Sequence, residues 1–262
     1  MDLGLRDRVA LVTAGSKGLG RAVALELAAE GARVAICARG QAALDKTVAE
    51  IVDAGGRAMG VVADVSNPAD VTRLVDDVRK AWGPVDILVT NSGGPRSGAF
   101  DVLTPEDWDQ AARLLLASTV NLVRAVLPDM RGRKWGRILN VTSIAAKQPV
   151  DGLMLSNSLR AAVMGLARTL ANEVAADGVT VNTLMPGYTR TERVVDLAAQ
   201  MAKSGGTTPE AVAGRWEAEI PMRRLGEPRE FAALAAFLAS DRASYITAQS
   251  IAVDGGWIKG LC

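Results

Sequence analysis

The sequence contains no histidine, and this absence excludes several kinds of chemistry. Serine–histidine–aspartate and cysteine–histidine catalysis both use an imidazole as the base, so neither operates in this chain. Most zinc sites need histidine or several thiolates, and the only cysteines are Cys37 and Cys262. We therefore expect no metal centre. Two cysteines are also too few for a disulfide framework. Such a low cysteine content is typical of proteins from the reducing cytoplasm.

The sequence also lacks an excess of one charge and any long apolar run. Its 30 basic and 29 acidic residues give a net charge of +1, and aromatic residues make up 4% of the chain. A nucleic-acid partner is therefore not expected. The first residues, MDLGLRDRVALV, do not form a secretory leader, and no charge-free apolar stretch reaches the ~18 residues of a membrane span. We expect a cytoplasmic protein that does not bind membranes.

What the sequence does contain is an alternation of short apolar runs with longer amphipathic segments. The short runs are rich in β-branched residues, which is typical of parallel strands buried on both faces. Strands are predicted at 8–13, 33–37, 58–63, 86–90, 136–143, 179–185 and 250–253, and helices at 19–30, 41–54, 68–82, 105–130, 153–176 and 228–239. The pattern predicts an α/β fold: a Rossmann-type doubly wound parallel sheet with helices on both faces, in a single domain over 1–262.

One long insertion interrupts this alternation, at residues 190–222. It is helical in pattern but is broken by the letters SGGTTP. A long segment of this kind next to a binding site is typical of a mobile lid. Its apolar side chains predict a substrate of medium size that is partly apolar; they are Val194, Val195, Leu197, Met201 and Trp216.

A glycine cluster directly follows the first predicted strand, in VTAGSKGLGRAVALELA. Gly15, Gly18 and Gly20 leave bare backbone where a strand meets a helix N-terminus, an arrangement that binds the pyrophosphate of a dinucleotide. Ser16 and Leu19 belong to the same predicted cofactor loop. The alternative is a tight turn without a ligand, because short glycine motifs also arise by chance.

The residues after the second predicted strand indicate which dinucleotide binds. That strand ends at Cys37, Ala38 and Arg39, without the acidic residue that would accept a ribose 2′-hydroxyl. Lys17 and Arg39 instead offer positive charge to a 2′-phosphate. NADP(H) is therefore favoured over NAD(H). An exposed loop charge without a ligand is the alternative interpretation of Arg39.

Several further motifs follow one another along the chain. They are TAGSKGLG at 13–20, ADV at 63–65, NSGG at 91–94, NVTS at 140–143, MPGYTRT at 185–191 and VDGGW at 253–257. In their order and approximate spacing the chain resembles the short-chain dehydrogenase/reductase family over essentially its whole length. It is similar to the 3-oxoacyl-acyl-carrier-protein reductases of that family. One departure is that the family's first motif glycine falls on Ala14.

The resemblance implies positions for the cofactor and an assembly. It implies that Asp64 and Val65 contact the adenine and that Asn91 and Gly93 lie along the cofactor. The nicotinamide would be lined by Pro186, Gly187 and Thr191. Helices 105–130 and 153–176 carry apolar residues on more than one face, which one sheet surface cannot bury. By resemblance these faces would pair in a symmetric homotetramer, or in a dimer.

The family's reaction uses an asparagine, a serine, a tyrosine and a lysine, and this chain keeps only one of them. The lysine charge lowers the tyrosine pKa from ~10, so that the phenol can exchange a proton with the carbonyl oxygen. Ser143 matches the family serine. Ser156 stands at the tyrosine position and Arg160 at the lysine position, while the asparagine position falls on Leu115.

These exchanges leave the source of the proton open. Arg160 stays charged, so it can stabilise an oxyanion or anchor a ribose but cannot donate a proton at neutral pH. Ser156 is a weak acid that leaves room for a water. Tyr188, in the loop expected to pass the nicotinamide, either supplies the proton or packs as an aromatic wall against the substrate. Ser143 either binds the substrate oxygen or is a plain hydroxyl at a strand end. Tyr245 is expected to pack beside the last strand.

Two functions are therefore compatible with the sequence. One is an NADP(H)-dependent oxidoreductase of a carbonyl compound or secondary alcohol, since the cofactor carries the hydride and the protein mainly positions the reactants. The other is a cofactor-binding protein with a structural, regulatory or non-redox role. The sequence does not distinguish the substrate or the direction of reaction.

Overall fold

The computed structural model describes residues 2–261, so Cys262 lies outside the described residues. Within that range, strands form one parallel sheet: β1 Val9–Val12, β2 Arg33–Ala38, β3 Arg57–Val62, β4 Ile87–Thr90, β5 Gly136–Val141, β6 Val179–Pro186 and β7 Ser250–Val253. Their spatial order is β3–β2–β1–β4–β5–β6–β7. The predicted α/β fold class is confirmed. The order reverses between β1 and β4, where open parallel sheets bind their ligands.

Helices cover both faces of the sheet. They are α1 Gly18–Ala29, α2 Gln41–Asp53, α3 Pro68–Trp82, α4 Pro105–Ala112, α5 Ser118–Arg133, α6 Met154–Val174, α7 Glu192–Gly205, α8 Pro209–Glu219 and α9 Pro228–Ala239. The predicted bounds agree to within a few residues. Capping side chains fix two of the starts: Asn67 accepts from the N–H of Ala69 at 3.0 Å, and Thr104 and Asp107 cap each other's backbone N–H.

The central strands are apolar because both faces of the sheet are covered. One face packs under α1 and α9, where Leu27 and Phe231 have no exposed surface. The other packs under α3, α5 and α6, where Leu74 and Met130 are equally buried. Every residue of β1, β4, β5 and β6 is buried, which confirms the interpretation of the apolar runs as central parallel strands.

The predicted helix 105–130 is one continuous helical run, Pro105–Arg133, with a wider π turn at Arg113–Ala117. Such turns often occur at functional sites, and this one holds Leu115 in the interior. The run is long and apolar enough to cross a membrane, and 39% of its most apolar window is buried. Core helices of soluble proteins can have the same length and composition. The run therefore gives only weak evidence of a span.

The segment 190–222 folds as the helices α7 and α8, joined by a turn in which Gly206 has a φ of +61°. The predicted break at SGGTTP is confirmed. Leu197 of α7 and Trp216 of α8 are buried against Trp257, which follows β7. The two helices thus form a small apolar cluster of their own beside the end of the sheet.

The expectation for Tyr245 is wrong. Its side chain is fully exposed, because it lies in the turn that follows the short helical turn Asp241–Ala243. The next residue, Ile246, packs against the core in its place. Of these two neighbours, Ile246 packs against the core and Tyr245 faces solvent.

Candidate active site

A cleft of about 820 Å³ opens at the carboxyl ends of the central strands. This volume lies toward the upper end of the range for small-molecule sites, so the cleft can hold a large ligand. The wall of the cleft brings together nearly all the residues predicted for the cofactor and the chemistry: Ser16, Lys17, Gly18, Leu19, Arg39, Asp64, Val65, Asn91, Gly93, Ser143, Ser156, Arg160, Pro186, Gly187, Tyr188 and Thr191. Two predicted residues, Gly15 and Gly20, are not part of this wall.

The glycine loop follows the path of a dinucleotide-binding turn despite its substitution. Ala14 has a φ of +47°, in the left-handed region that a glycine enters without steric cost. The loop therefore keeps its shape at the expense of some backbone strain. A Cβ on Gly20 would clash with the carbonyl of Ala14 and lie 2.8 Å from the side chain of Asn91. Helix α1 begins at Gly18, so its N-terminal N–H groups lie at the loop, where a phosphate binds favourably.

Asn91 ties this loop to the end of β4. Its backbone N–H donates to the Thr13 hydroxyl at 2.8 Å, and that hydroxyl donates to the Asn91 carbonyl at 2.6 Å. These bonds fix the ends of β1 and β4 side by side at the reversal point of the sheet. Two residues further on, a Cβ on Gly93 would meet nothing within 4 Å, so the backbone there has open space for a ligand.

Asp64, Val65 and Arg39 line the end of the cleft beside β2 and β3. The Asp64 carboxylate accepts hydrogen bonds from the hydroxyl of Ser66 at 2.6 Å and from its N–H at 2.9 Å. These bonds, together with the charge of Arg39, hold the pKa of Asp64 below its ordinary value. Asp64 is thus an ionised acceptor, and the exposed Arg39 is a cation that an added phosphate can reach.

Lys17 forms an ion pair with a residue of the segment 190–222. Its Nζ lies 2.7 Å from the Glu192 carboxylate at the start of α7, and this partner raises the pKa of Lys17. Thr191, the residue directly before α7, lies close to the glycine loop: its Cγ2 would be 3.5 Å from a Cβ on Gly18. The first turn of α7 and the glycine loop therefore face each other across the mouth of the cleft.

Pro186 is the last residue of β6, and the backbone of the next residue, Gly187, is held by β7. The N–H of Gly187 donates to the carbonyl of Val253 at 2.9 Å. A Cβ on Gly187 would lie 2.8 Å from the Cα of Asp254, so the close contact between these two strand ends requires glycine. The opposite side of this backbone lines the cleft, as the resemblance implies for the nicotinamide end.

Arg160, which the sequence analysis aligns with the family's lysine, is buried and held by three hydrogen bonds. Its Nη1 donates to the carbonyls of Val141 at 3.1 Å and Thr142 at 2.9 Å, and its Nε donates to Ser156 Oγ at 3.2 Å. Burial, with a smaller effect of the Arg193 charge, lowers the pKa of Arg160 to about 10. The guanidinium is therefore still charged at neutral pH. Among the described residues, its Nη2 has no hydrogen-bond partner.

The two serines each keep a hydroxyl proton to donate. Ser143 follows β5, and its Oγ accepts from the N–H of Ala145 at 3.1 Å. Ser156, one helical turn before Arg160, accepts from that arginine. Both side chains lie on the cleft wall. Ser143, Ser156 and Arg160 thus form a group of hydrogen-bond donors where the sequence predicts the chemistry.

Leu115 lies beside this group but contributes no polar atom. It lines a separate cavity of about 10 Å³ together with Arg160 and Ser118. That space is about the size of one water molecule. Leu115, which the sequence analysis aligns with the family's asparagine, therefore offers no hydrogen bond to a water in this space.

Tyr188 packs as part of an aromatic wall. Its ring stacks on Trp216 with centroids 4.4 Å apart and meets Trp257 edge-on at 5.9 Å. Burial, and the negative charge of Glu219, raise the pKa of Tyr188 to about 12. The phenol is therefore poorly matched to proton transfer at neutral pH, and this packing favours the aromatic-wall interpretation.

Among the charged residues of the cleft wall that the sequence analysis did not single out is Arg193. It is the second residue of α7, and its guanidinium extends to the backbone of Gly94, in the loop after β4. In the sequence it stands in TRTERVV, among other charged residues of a helical segment. Nothing in that pattern distinguishes it from a side chain that faces solvent.

The comparisons with known proteins agree on one family. Residues 13–258 match the family model described as Enoyl-(Acyl carrier protein) reductase. The chain is 39% identical over 252 residues to the monensin polyketide synthase putative ketoacyl reductase of Streptomyces virginiae, which covers 95% of this chain and 97% of that one. It is 36% identical over 256 residues to the 3-oxoacyl-acyl-carrier-protein reductase of Synechocystis sp., over 97% and 98% of the two chains.

Solved structures are similar over the whole chain as well. One is L-sorbose reductase from Gluconobacter frateurii complexed with NADPH and L-sorbose, with a TM-score of 0.94, 33% identity and 100% of both chains covered. Another is an actinorhodin polyketide ketoreductase with NADPH, with a TM-score of 0.93, 33% identity and 97% and 98% of the two chains covered.

Proposed function

The chain belongs to the short-chain dehydrogenase/reductase family, and on that premise we propose that it is an oxidoreductase that transfers a hydride between NADP(H) and a carbonyl compound or secondary alcohol. The observation that carries this proposal is the buried Arg160. Its charged guanidinium and the hydroxyls of Ser143 and Ser156 line the same cleft as the glycine loop. A carbonyl oxygen bound there would meet donors suited to the negative charge that reduction creates.

The residues of the glycine loop and the strand ends fit NADP(H). The open space at Gly93 suits the ribose, and the N-terminus of α1 suits the pyrophosphate. The ionised Asp64 suits the adenine. Arg39, exposed at the end of β2, suits the 2′-phosphate, and Lys17 would add to it on leaving Glu192. The relatives solved with NADPH support this choice of cofactor.

The chain's own residues would orient the carbonyl and stabilise its oxygen. NADPH, when bound, supplies the hydride. Ser143 donates a hydrogen bond to the substrate oxygen, and Arg160 stabilises the oxyanion through Nη2. The proton comes from Ser156 or from a water beside it, since the raised pKa of Tyr188 makes that phenol the weaker candidate.

The segment 190–222 would act as the lid of this site, and the protein would act as a homotetramer or dimer. Helix α7 faces the glycine loop across the mouth of the cleft, which supports a lid. More than half of the most apolar window of Pro105–Arg133 is not buried, which supports a covered face in an assembly. Light scattering at micromolar concentration tests the assembly, and a monomeric mass would contradict it.

A second candidate is a cofactor-binding protein without redox turnover, and the loss of the tyrosine and the lysine favours it. Both functions predict NADPH binding, so binding alone does not separate them. The experiment is to incubate the protein with NADPH and a panel of ketones and 3-oxoacyl thioesters, follow NADPH absorbance and identify the alcohol formed. Turnover with product supports the oxidoreductase, whereas tight NADPH binding without oxidation across the panel supports the binding protein.

A further inference from the structure

The cleft wall carries five cationic side chains, and their partners differ. Lys17 pairs with Glu192 at 2.7 Å, and Arg96 pairs with Asp107 at 2.6 Å. Arg39 lies near the Asp64 carboxylate, whose pKa it lowers. The other two cations are Arg160 and Arg193. Within residues 2–261, Arg39, Arg160 and Arg193 all lack a carboxylate at ion-pair distance, and of these three Arg39 is the one that lowers the pKa of a cleft carboxylate.

Arg193 spans the cleft from one wall to the other. It starts on α7, and its guanidinium lies where a side chain of Gly94 would be: a Cβ there would be 2.6 Å from Nη2 and 2.8 Å from Nε. The absence of a side chain at Gly94 therefore leaves the space that Arg193 occupies. This contact holds the guanidinium in the loop after β4 and away from the adenine end, where Arg39 lies.

Among the described residues, no acidic residue of its own helix forms an ion pair with Arg193. Glu192 is bonded to Lys17, and Asp196 raises the pKa of the same lysine. The charge of Arg193 instead reaches Arg160, whose pKa it lowers. Two positive charges thus face one cleft, one on the buried Arg160 and one on the exposed Arg193, and an anionic ligand that bound between them would be attracted by both.

We propose that Arg193 binds a carboxylate of the substrate, so that the enzyme acts on oxo acids or the corresponding hydroxy acids. A guanidinium binds a carboxylate through two parallel hydrogen bonds, which would fix the substrate at the lid while its carbonyl oxygen lies at Ser143 and Arg160. This substrate class rests on the proposed oxidoreductase function. Binding of the carboxylate itself does not.

The test compares oxo acids of increasing chain length with their methyl esters, which keep the carbonyl and lose the charge. We expect the Arg193→Gln substitution to lower kcat/KM for the preferred acid roughly 10- to 100-fold and to leave the ester unchanged. Arg193→Lys should restore part of the loss, because it keeps the charge but not the fork. Arg215→Gln is the matched control: Arg215 is an exposed arginine of α8 that is not on the cleft wall, and its loss should change neither substrate.

Gly94→Ala tests the same contact without removing the charge. Its methyl group would displace the guanidinium, so the preference for acids over esters should shrink as in Arg193→Gln. NADPH affinity is measured for every variant in the absence of substrate. An unchanged preference for acids in Arg193→Gln would overturn the proposal, as would an equal loss of NADPH affinity, which would assign Arg193 to a cofactor phosphate.

A calorimetric titration separates this proposal from the proposed function. The saturated carboxylic acid of the same chain length, which cannot be reduced, is titrated into the wild type and into Arg193→Gln, each with NADP⁺ bound. Binding to the wild type that is lost in the variant supports the carboxylate site, even if no carbonyl compound is turned over. Equal binding, or none to the wild type, contradicts it.

Discussion

The two halves of the cleft differ in whether backbone or side chains form them. The nucleotide half, formed by the glycine loop at 13–20, Arg39, Asp64 and Asn91, makes its shape mostly from backbone. The carbonyl half, formed by Ser143, Ser156, Arg160 and Tyr188, makes its chemistry from side chains. By the resemblance, the first half keeps the family's motifs almost unchanged, while the second has Ser156 and Arg160 where the family's tyrosine and lysine are expected.

This difference indicates which property is easier to change. In the nucleotide half Ala14 replaces a glycine, and yet the backbone keeps the left-handed turn, because neighbouring strands and hydrogen bonds determine it. In the carbonyl half nothing in the backbone replaces a phenol of suitable pKa. A backbone turn can therefore tolerate a substitution, whereas proton transfer depends on the pKa of the side chain or water that donates the proton.

The largest effect is expected in the carbonyl half, from Arg160→Ala. It removes the oxyanion donor and leaves the carbonyls of Val141 and Thr142 without their partner. We expect kcat/KM to fall roughly 100-fold, and NADPH affinity to fall less. The wild-type rate should also fall as the pH rises through about 10, where Arg160 loses its proton. A folded variant with the wild-type rate would contradict this role.

The matching change in the nucleotide half is Arg39→Asp. A carboxylate would repel the 2′-phosphate and accept a ribose hydroxyl instead. We expect NADPH affinity to fall roughly 10- to 100-fold and the preference to move to NADH, with little change in the kcat reached at saturating cofactor. Fluorescence titration of both cofactors measures this. Equal affinities for NADPH and NADH in the wild type would contradict the assignment of Arg39.

Restoring the family pair should sharpen the contrast between the halves. The double substitution Ser156→Tyr with Arg160→Lys supplies a phenol and a lysine four residues apart on α6. We expect reduction of simple ketones to rise at least ~10-fold, because a proton donor of matched pKa is added. Leu115→Asn, made separately, tests whether an amide at the small cavity adds to this. An unchanged rate with NADPH still bound would mean that the shape of the pocket has diverged, not only its acid.

Ser143→Ala tests a single hydroxyl of the carbonyl half. If the hydroxyl holds the substrate oxygen, kcat/KM should fall ~10-fold while NADPH affinity stays the same. The neighbours do not replace it, because Ile144 has no hydroxyl and the buried hydroxyl of Thr142 donates to the carbonyl of Leu184 at 3.4 Å. Steady-state kinetics with one ketone are sufficient. Indifference to this change would leave Ser143 as a plain hydroxyl at a strand end.

The smallest effect is expected from Tyr188→Phe, which removes the hydroxyl and keeps the stack on Trp216. With a pKa of about 12, the phenol is not the expected proton donor, so kcat should change by less than about 3-fold. Tyr188→Ala, which removes the wall, should raise KM instead. A large loss of kcat in the phenylalanine variant would make Tyr188 the proton donor.

The sequence predicted the strands, the helices and most of the cleft wall, because each of these depends on local signals. Apolar runs, capping residues and the glycines of the loop act within a few positions of one another. The pairing of Lys17 with Glu192 joins residues 175 positions apart, and the contact of Arg193 with Gly94 depends on how α7 packs. Such contacts follow from tertiary packing, and no periodicity or short motif encodes them.

If Lys17 binds the 2′-phosphate as proposed, its ion pair with Glu192 would couple cofactor entry to the position of α7. A 2′-phosphate that takes the Lys17 amine from Glu192 frees the first turn of this helix at the moment the nucleotide arrives. By thermodynamic reciprocity, a substrate that draws the helix inward then alters the hold on the nucleotide by the same factor. Because this ion pair is exposed, the coupling would be modest and would weaken as the salt concentration rises.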